Sequence, residues 1–271
     1  MILGKRVQKN KIFIFSLVII TGLFLMALFA PHLVSHDPLK TETENWLTPP
    51  GPDNWFGTDR LGRDIYSRVV FGSRISLSIG FISAAIMIFT GTLLGALAGY
   101  YGGIVDNLIM RLTDIIIVFP VLFLIITLIS LFDSGFIHII LIIGFTGWPV
   151  VARLVRAEFM SLRERDFVQA IRALGASDLR IITRHILPNA LDPIVVAATL
   201  SVPAAILAEA GLSFLGLGIP APVPTWGNIL REAHGYFRQA WWYAAFPGAF
   251  IFVTVMAFNL LGESLKDLLD S

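Results

Sequence analysis

Few residues of this 271-residue chain stand where side-chain chemistry would need them. Glu209 is the one carboxylate inside a long apolar stretch, Pro193 to about Gly216, near its outer end. A charge at the centre of a bilayer costs about 2.5–3.5 kcal/mol on insertion scales, so such a residue normally faces a cavity or a partner. It is a candidate contact for a cation on a path through a membrane, and a residue near the interface that pairs locally is the equal alternative. His32 and His36, at i and i+4 with Asp37 adjacent, would suit Ni²⁺ or Zn²⁺ if a helix ran through them. Pro31 and Pro38 bracket them and argue for a loop, so no metal site is assigned. His138, His185 and His234 are isolated and read as structural. Enzyme arrangements fail: there is no HExxH, Ser213 misses the GxSxG spacing by one residue, and no Asp or Glu pair shares an apolar span. The chain has no cysteine, which removes thiolate metal sites, disulfides and a Cys nucleophile.

The elements that must carry these residues follow from composition. An ordinary soluble domain has about a quarter charged residues, whereas this chain has 14% charged and 56% hydrophobic residues. That balance excludes a cytosolic enzyme and a disordered protein. A net charge of +1 supplies no basic field, so no nucleic acid is expected as a partner, while a lipid bilayer is required. A bilayer core of about 30 Å takes about 20 apolar helical residues. Six stretches qualify: Ile12 to Ala30, Ile75 to about Gly99, Ile115 to Phe132, Ser134 to Ala152, Pro193 to about Gly216, and Trp241 to Leu261. The fold class is therefore all-α, a polytopic membrane protein with six transmembrane helices.

The first stretch follows Lys5, Arg6, Lys9 and Lys11 as a signal peptide would, but its length and the lack of a small-x-small site before Pro31 make it a retained anchor. Seven arginines (Arg153, Arg156, Arg163, Arg165, Arg172, Arg180 and Arg184) fall in one connecting segment, on the same side as the basic N-terminus. By the positive-inside rule both termini and this segment are cytoplasmic. Arg60, Arg63, Arg68 and Arg74 run against the rule. They alternate with Asp59 and Asp64, which predicts a folded outer segment with paired charges, with a solvated loop as the alternative. Residues 1–74 thus form an N-terminal end, first helix and outer segment, and residues 75–271 a five-helix core.

The core's inner segment, about 153–188, is the most informative. Phe167, Val168, Ile171 and Leu174 repeat at helical spacing, with Ala170 and Ala173 as a smooth side. Gly175 supplies a helix stop, and Ser177 or Asp178 an N-cap for a second helix before Pro188. The result is a helix-turn-helix hairpin whose small-residue turn, Ala173-Leu174-Gly175-Ala176-Ser177, permits close approach by another backbone. A capped surface connection lying on the headgroups is the competing reading. Gly91, Gly95 and Gly99 form a doubled small-xxx-small repeat, expected to pack against a helix of this chain or of a partner. Pro120, Pro149, Pro203 and Pro247 sit within or at the ends of spans, where kinks are expected.

The stretch QAIRALGASDLRIITRHILPN resembles the cytoplasmic coupling motif of ABC importer permeases: Glu-Ala-Ala, three residues, Gly, nine residues, Ile-x-Leu-Pro. Gln169, Ala170 and Ile171 occupy the opening triplet, Gly175 the glycine, and Leu187 and Pro188 the final pair; Gln169 and His185 depart from the pattern. WFGTDRLGRDIYSR, GLSFLGLGIPAPVPTWGNIL and MAFNLLGESLKDLLD are similar to the C-type subunit of the peptide and nickel branch.

This resemblance implies the type I importer permease fold and a subunit for di- or oligopeptides in a bacterial or archaeal cell membrane. It also implies a second paralogous permease, two ABC ATPases and an extracellular or periplasmic substrate-binding protein as partners. Gln169, Ala170, Arg172, Ala173, Leu174, Gly175, Ala176, Ser177 and Asp178 would contact an ATPase, and Glu209 could meet a peptide's amino terminus. This chain would hold no cofactor, ATP and Mg²⁺ being bound by the ATPases. Its only Gly-Lys pair, Gly4-Lys5, has no room for a P-loop before it. Nickel or nickel-chelate uptake is the alternative cargo. A gradient-driven secondary transporter is the alternative class, and no internal repeat with paired broken helices supports it.

Overall fold

A computed structural model describes residues 11–132 and 135–270. Gly4, Lys5, Arg6 and Lys9 of the N-terminal reading, and the span boundary at Asp133 and Ser134, lie outside the described residues. Among the described residues a single helical turn, Ala30–Leu33, accompanies ten further α-helices: α1 Lys11–Leu28, α2 Ile65–Tyr101, α3 Gly103–Val118, α4 Val121–Phe132, α5 Phe136–Arg163, α6 Asp166–Ala173, α7 Asp178–Ile181, α8 Leu191–Phe214, α9 Trp226–Ala233 and α10 Trp241–Asp270. A π turn, Ile182–Ile186, and a 3₁₀ turn, Leu187–Ala190, join α7 to α8 in one helical run. No named strand occurs among the described residues.

Five long apolar helices, and a sixth span if the bent pair α3 and α4 counts as one, have the length and composition to cross a bilayer. Two boundaries differ from expectation. The stretch 115–132 is not one straight helix: α3 and α4 meet at 90°. Pro120 lies at the joint, where its ring and missing N–H exclude helix continuation and hold Phe119 extended. Pro149, Pro203 and Pro247 by contrast lie inside helices. Helix α2 starts ten residues before Ile75, because Asp64 caps it by accepting from Ser67 N at 2.7 Å. Its 37 residues span about 55 Å, well beyond an apolar core of about 30 Å. One end of α2 therefore reaches α6 and α7, here the hairpin end, and the other reaches the segment before Ile65, the far end.

Helix α2 is the mast of the bundle, packing along α5 and also against α8 and α1. Gly91, Gly95 and Gly99 all face α5. A Cβ at Gly91 would lie 2.5 Å from Val151 Cβ, at Gly95 2.5 Å from the Ala152 carbonyl oxygen, and at Gly99 2.6 Å from that of Arg156. The two backbones touch because these side chains are absent.

At the far end the charges expected to pair do so in part. Arg63 Nε lies 2.5 Å from Asp59 Oδ2, and Glu232 of α9 accepts from Arg63 at 2.5 Å, Arg68 at 3.3 Å and the Tyr243 hydroxyl at 2.8 Å. Arg74 instead stacks over Phe71. Trp226 donates from its indole to Val69 O at 3.0 Å, clamping α9 on α2.

Candidate functional site

The hairpin is built by local chemistry. Helix α6 begins after Arg165, whose carbonyl accepts from Val168 N and Gln169 N. Val168 is buried and Ile171 half-buried against the inner core, so one face of the helix is anchored. The helix ends in a Schellman motif: Ala176 N donates to Ile171 O at 3.3 Å and Gly175 N to Arg172 O at 3.0 Å. That closure needs a left-handed residue, and Gly175 has φ +79°. Ser177 takes the N-cap position of α7 without a side-chain capping bond.

The turn projects outward. Leu174 is 86% and Leu179 71% exposed, and Phe167 is exposed beside them. A Cβ at Gly175 would meet nothing within 4 Å. Exposed apolar side chains grouped around a bare backbone suit contact with a protein or with a membrane surface.

Four contacts brace this surface on the bundle, none of them visible in the sequence. The Tyr100 hydroxyl donates to Asp178 Oδ1 at 2.6 Å, and Arg172 sits over the Tyr100 ring at 5.6 Å. Arg163 donates from Nη1 to the Tyr100 carbonyl at 3.0 Å, and Gln169 Nε2 donates to Arg163 O at 3.0 Å. Gln169, Arg172 and Asp178 thus attach the hairpin to α2 and α5, while Leu174 and Gly175 form the free tip and Ala170 and Ala173 lie on α6. Asp106 of α3 pairs with Arg156 of α5, and Asp114 with Arg153 at 2.5 Å, bracing the same end.

Glu209 lies in α8 and is fully buried. Its Oε1 accepts from Ser213 Oγ at 2.7 Å, while Oε2 is buried without a hydrogen bond beside the Thr225 side chain. His32 and His36 do not share a helix: the turn Ala30–Leu33 ends at an extended Val34, and His36 Nδ1 lies 3.1 Å from Ser35 Oγ. Among the described residues no three His, Asp or Glu side chains group as metal ligands.

An all-helical chain with several membrane spans and one anchored, apolar-tipped hairpin at the end of its bundle defines a membrane permease subunit. The chain belongs to the family described as binding-protein-dependent transport system inner membrane component, which matches residues 91–271. Residues 4–50 match the N-terminal TM domain of oligopeptide transport permease C. The chain is 43% identical to the dipeptide transport system permease protein DppC of Alkalihalophilus pseudofirmus, over 98% of this chain and 88% of that one. It is 40% identical to the oligopeptide transport system permease protein OppC of Bacillus subtilis, over 98% and 87%. Among solved structures, the inward-facing MetNI methionine ABC transporter superposes with a TM-score of 0.61 at 21% identity, over 75% of this chain and 97% of that one. The fold is thus that of an ABC importer permease. Such a subunit is embedded in the membrane, works with ATPase and substrate-binding partners, and is not itself an enzyme.

Proposed function

We propose that this chain is one of two paralogous permease subunits of an ATP-driven importer of di- or oligopeptides. Two ATPases bind ATP and Mg²⁺ and dock on the hairpin, and an extracellular or periplasmic binding protein delivers the peptide. Both termini and the hairpin face the cytoplasm. The cargo follows from relatives whose names specify dipeptides and oligopeptides, at 40% identity or more along nearly the whole chain. The coupling role rests on one observation: the tip around Gly175 is apolar, exposed and unobstructed, while its base is tied to α2 through Tyr100. A push on the tip is thereby delivered to the longest helix, as coupling between two discrete arrangements requires.

The test is Gly175→Leu beside Gly175→Asn in the assembled transporter. Nothing in this chain blocks either side chain, and Asn tolerates the left-handed conformation that Leu does not. Both should lower dipeptide uptake roughly tenfold and blunt the ATPase response to loaded binding protein, at normal membrane levels. Uptake unchanged in both variants would reject the coupling assignment. Loss with Leu alone would trace the defect to backbone strain.

A further inference from the structure

The far end carries a cavity that neither the hairpin nor the spans use. It encloses about 510 Å³ between the loop after α8 and helix α9, within the range of roughly 300–1,000 Å³ typical of small-molecule sites. Arg60 and Arg231 enter it from two separate segments, and Ser213, Asn228, Glu232 and Tyr236 complete its polar lining. The larger cleft beside α2 is almost wholly apolar, with a few Thr and Tyr hydroxyls and no charged side chain in its lining.

Most of the polar capacity in this cavity is already spent. Glu232 is occupied by Arg63, Arg68 and Tyr243. Asn228 accepts from Thr225 N and donates to Val223 O, and the Ser213 hydroxyl donates to Glu209. Arg60 and Arg231, both exposed to solvent where the cavity opens, keep their charge: neither side chain makes an ion pair or hydrogen bond among the described residues. The wall around Arg231 is also shaped for it. Gly216 has φ +88°, and a Cβ there would lie 2.8 Å from Arg231 Nη2. A Cβ at Gly218 would fall 1.9 Å from Ser213 Oγ, so the loop lies directly on α8. The unspent groups are the Tyr236 hydroxyl and two guanidinium forks, and the planar donors of the forks match a carboxylate.

We propose that this cavity binds the carboxylate of a short peptide, with Arg60 and Arg231 as its two anchors. The proposal rests on the reading of the chain as a peptide permease. It assigns to the permease a terminus-selective site that is separate from the binding protein and open at the far end.

The test uses the purified transporter complex, without binding protein, in lipid nanodiscs. Dialanine and dialaninamide are titrated by calorimetry against the unmodified complex, Arg60→Gln/Arg231→Gln, and Arg238→Gln, an arginine exposed like the other two that does not line the cavity. Dialanine should bind at least roughly tenfold more tightly than the amide, and the double variant should remove that preference, as expected for charge-assisted bonds. Arg238→Gln should behave as the unmodified complex. Equal binding of acid and amide, or a preference that survives the double variant, overturns the proposal. So does a double variant that loses only affinity for the binding protein, which would give the arginines to a docked acidic side chain. A complex that imports dipeptide yet shows no acid preference sinks this site alone, whereas one that imports no peptide sinks the functional reading.

Discussion

The hydroxyl of Tyr100, near the last turn of α2, donates to Asp178, the first residue of α7, across 78 positions of sequence. This bond joins the second helix of the hairpin to the helix that runs the full height of the bundle. Tyr100→Phe keeps the ring under Arg172 and deletes only the hydroxyl. The hairpin should still recruit ATPase, but the peptide imported per ATP hydrolysed should fall a few-fold in proteoliposomes. An unchanged ratio would make the bond a local brace with no part in transmission.

The contact between α2 and α5 sets a second expectation. At Gly95 an added Cβ meets the Ala152 carbonyl at 2.5 Å and Val155 Cβ at 2.9 Å. Backbone cannot swing aside as a side chain can, so Gly95→Ala must separate the helices, at about 1–3 kcal/mol for overpacking. Gly22→Ala in α1 meets nothing within 4 Å and serves as the comparison. The unfolding midpoint in detergent should drop for Gly95→Ala and hold for Gly22→Ala; equal midpoints would contradict the packing.

Glu232 neutralises two guanidiniums from the segment before and within the start of α2. Arg63 and Arg68 are almost completely buried, and Asp59 is the only other carboxylate within ion-pair distance of them among the described residues. Glu232→Gln leaves Asp59 alone against both guanidiniums, so one buried positive charge is uncompensated, a change that costs about 3–5 kcal/mol in buried pairs. Protease cleavage within residues 34–64 should accelerate and the unfolding midpoint fall. Arg74→Gln, which removes only a contact with Phe71, should leave both near normal. Resistance to protease in Glu232→Gln would show that hydrophobic contacts such as the Phe56–Phe246 stack suffice to hold the segment.

What could be read from the sequence was whatever local spacing determines. The apolar runs placed the spans, and the turn around Gly175 placed the hairpin, because a helix stop and a left-handed residue are properties of a few adjacent positions. In the 115–132 stretch a kink at Pro120 is expected from the sequence, but neither hydropathy nor the proline alone gives its size, a 90° bend between α3 and α4. The tether at Tyr100 and the partner of Arg63 and Arg68 were invisible for another reason. Asp178 lies 78 residues from Tyr100, and Glu232 lies 169 from Arg63, so only tertiary packing brings them together. The alternation of the outer arginines with aspartates predicts paired charges, and Asp59 does pair with Arg63 and Arg68. The second carboxylate, Glu232, comes from α9.

Glu209 poses the sharpest choice between a structural and a transport role. It is fully buried, one oxygen is bonded to Ser213, and the other has no hydrogen bond. A packing role would need only the bonded oxygen, since that bond fixes the end of α8 against the loop that follows. A role in the substrate path would need the carboxylate itself, whose second oxygen is buried beside the Thr225 side chain. Glu209→Gln keeps the volume and an acceptor for Ser213 but gives up the acidic second oxygen, while Ser213→Ala removes the bond and keeps the acid. Placement in the path predicts that Glu209→Gln lowers uptake at limiting peptide with ATPase assembly intact, and that Ser213→Ala does not. Equal defects in the two variants would assign Glu209 to holding the loop. Normal uptake in Glu209→Gln would remove it from transport altogether, because no other property of the side chain changes.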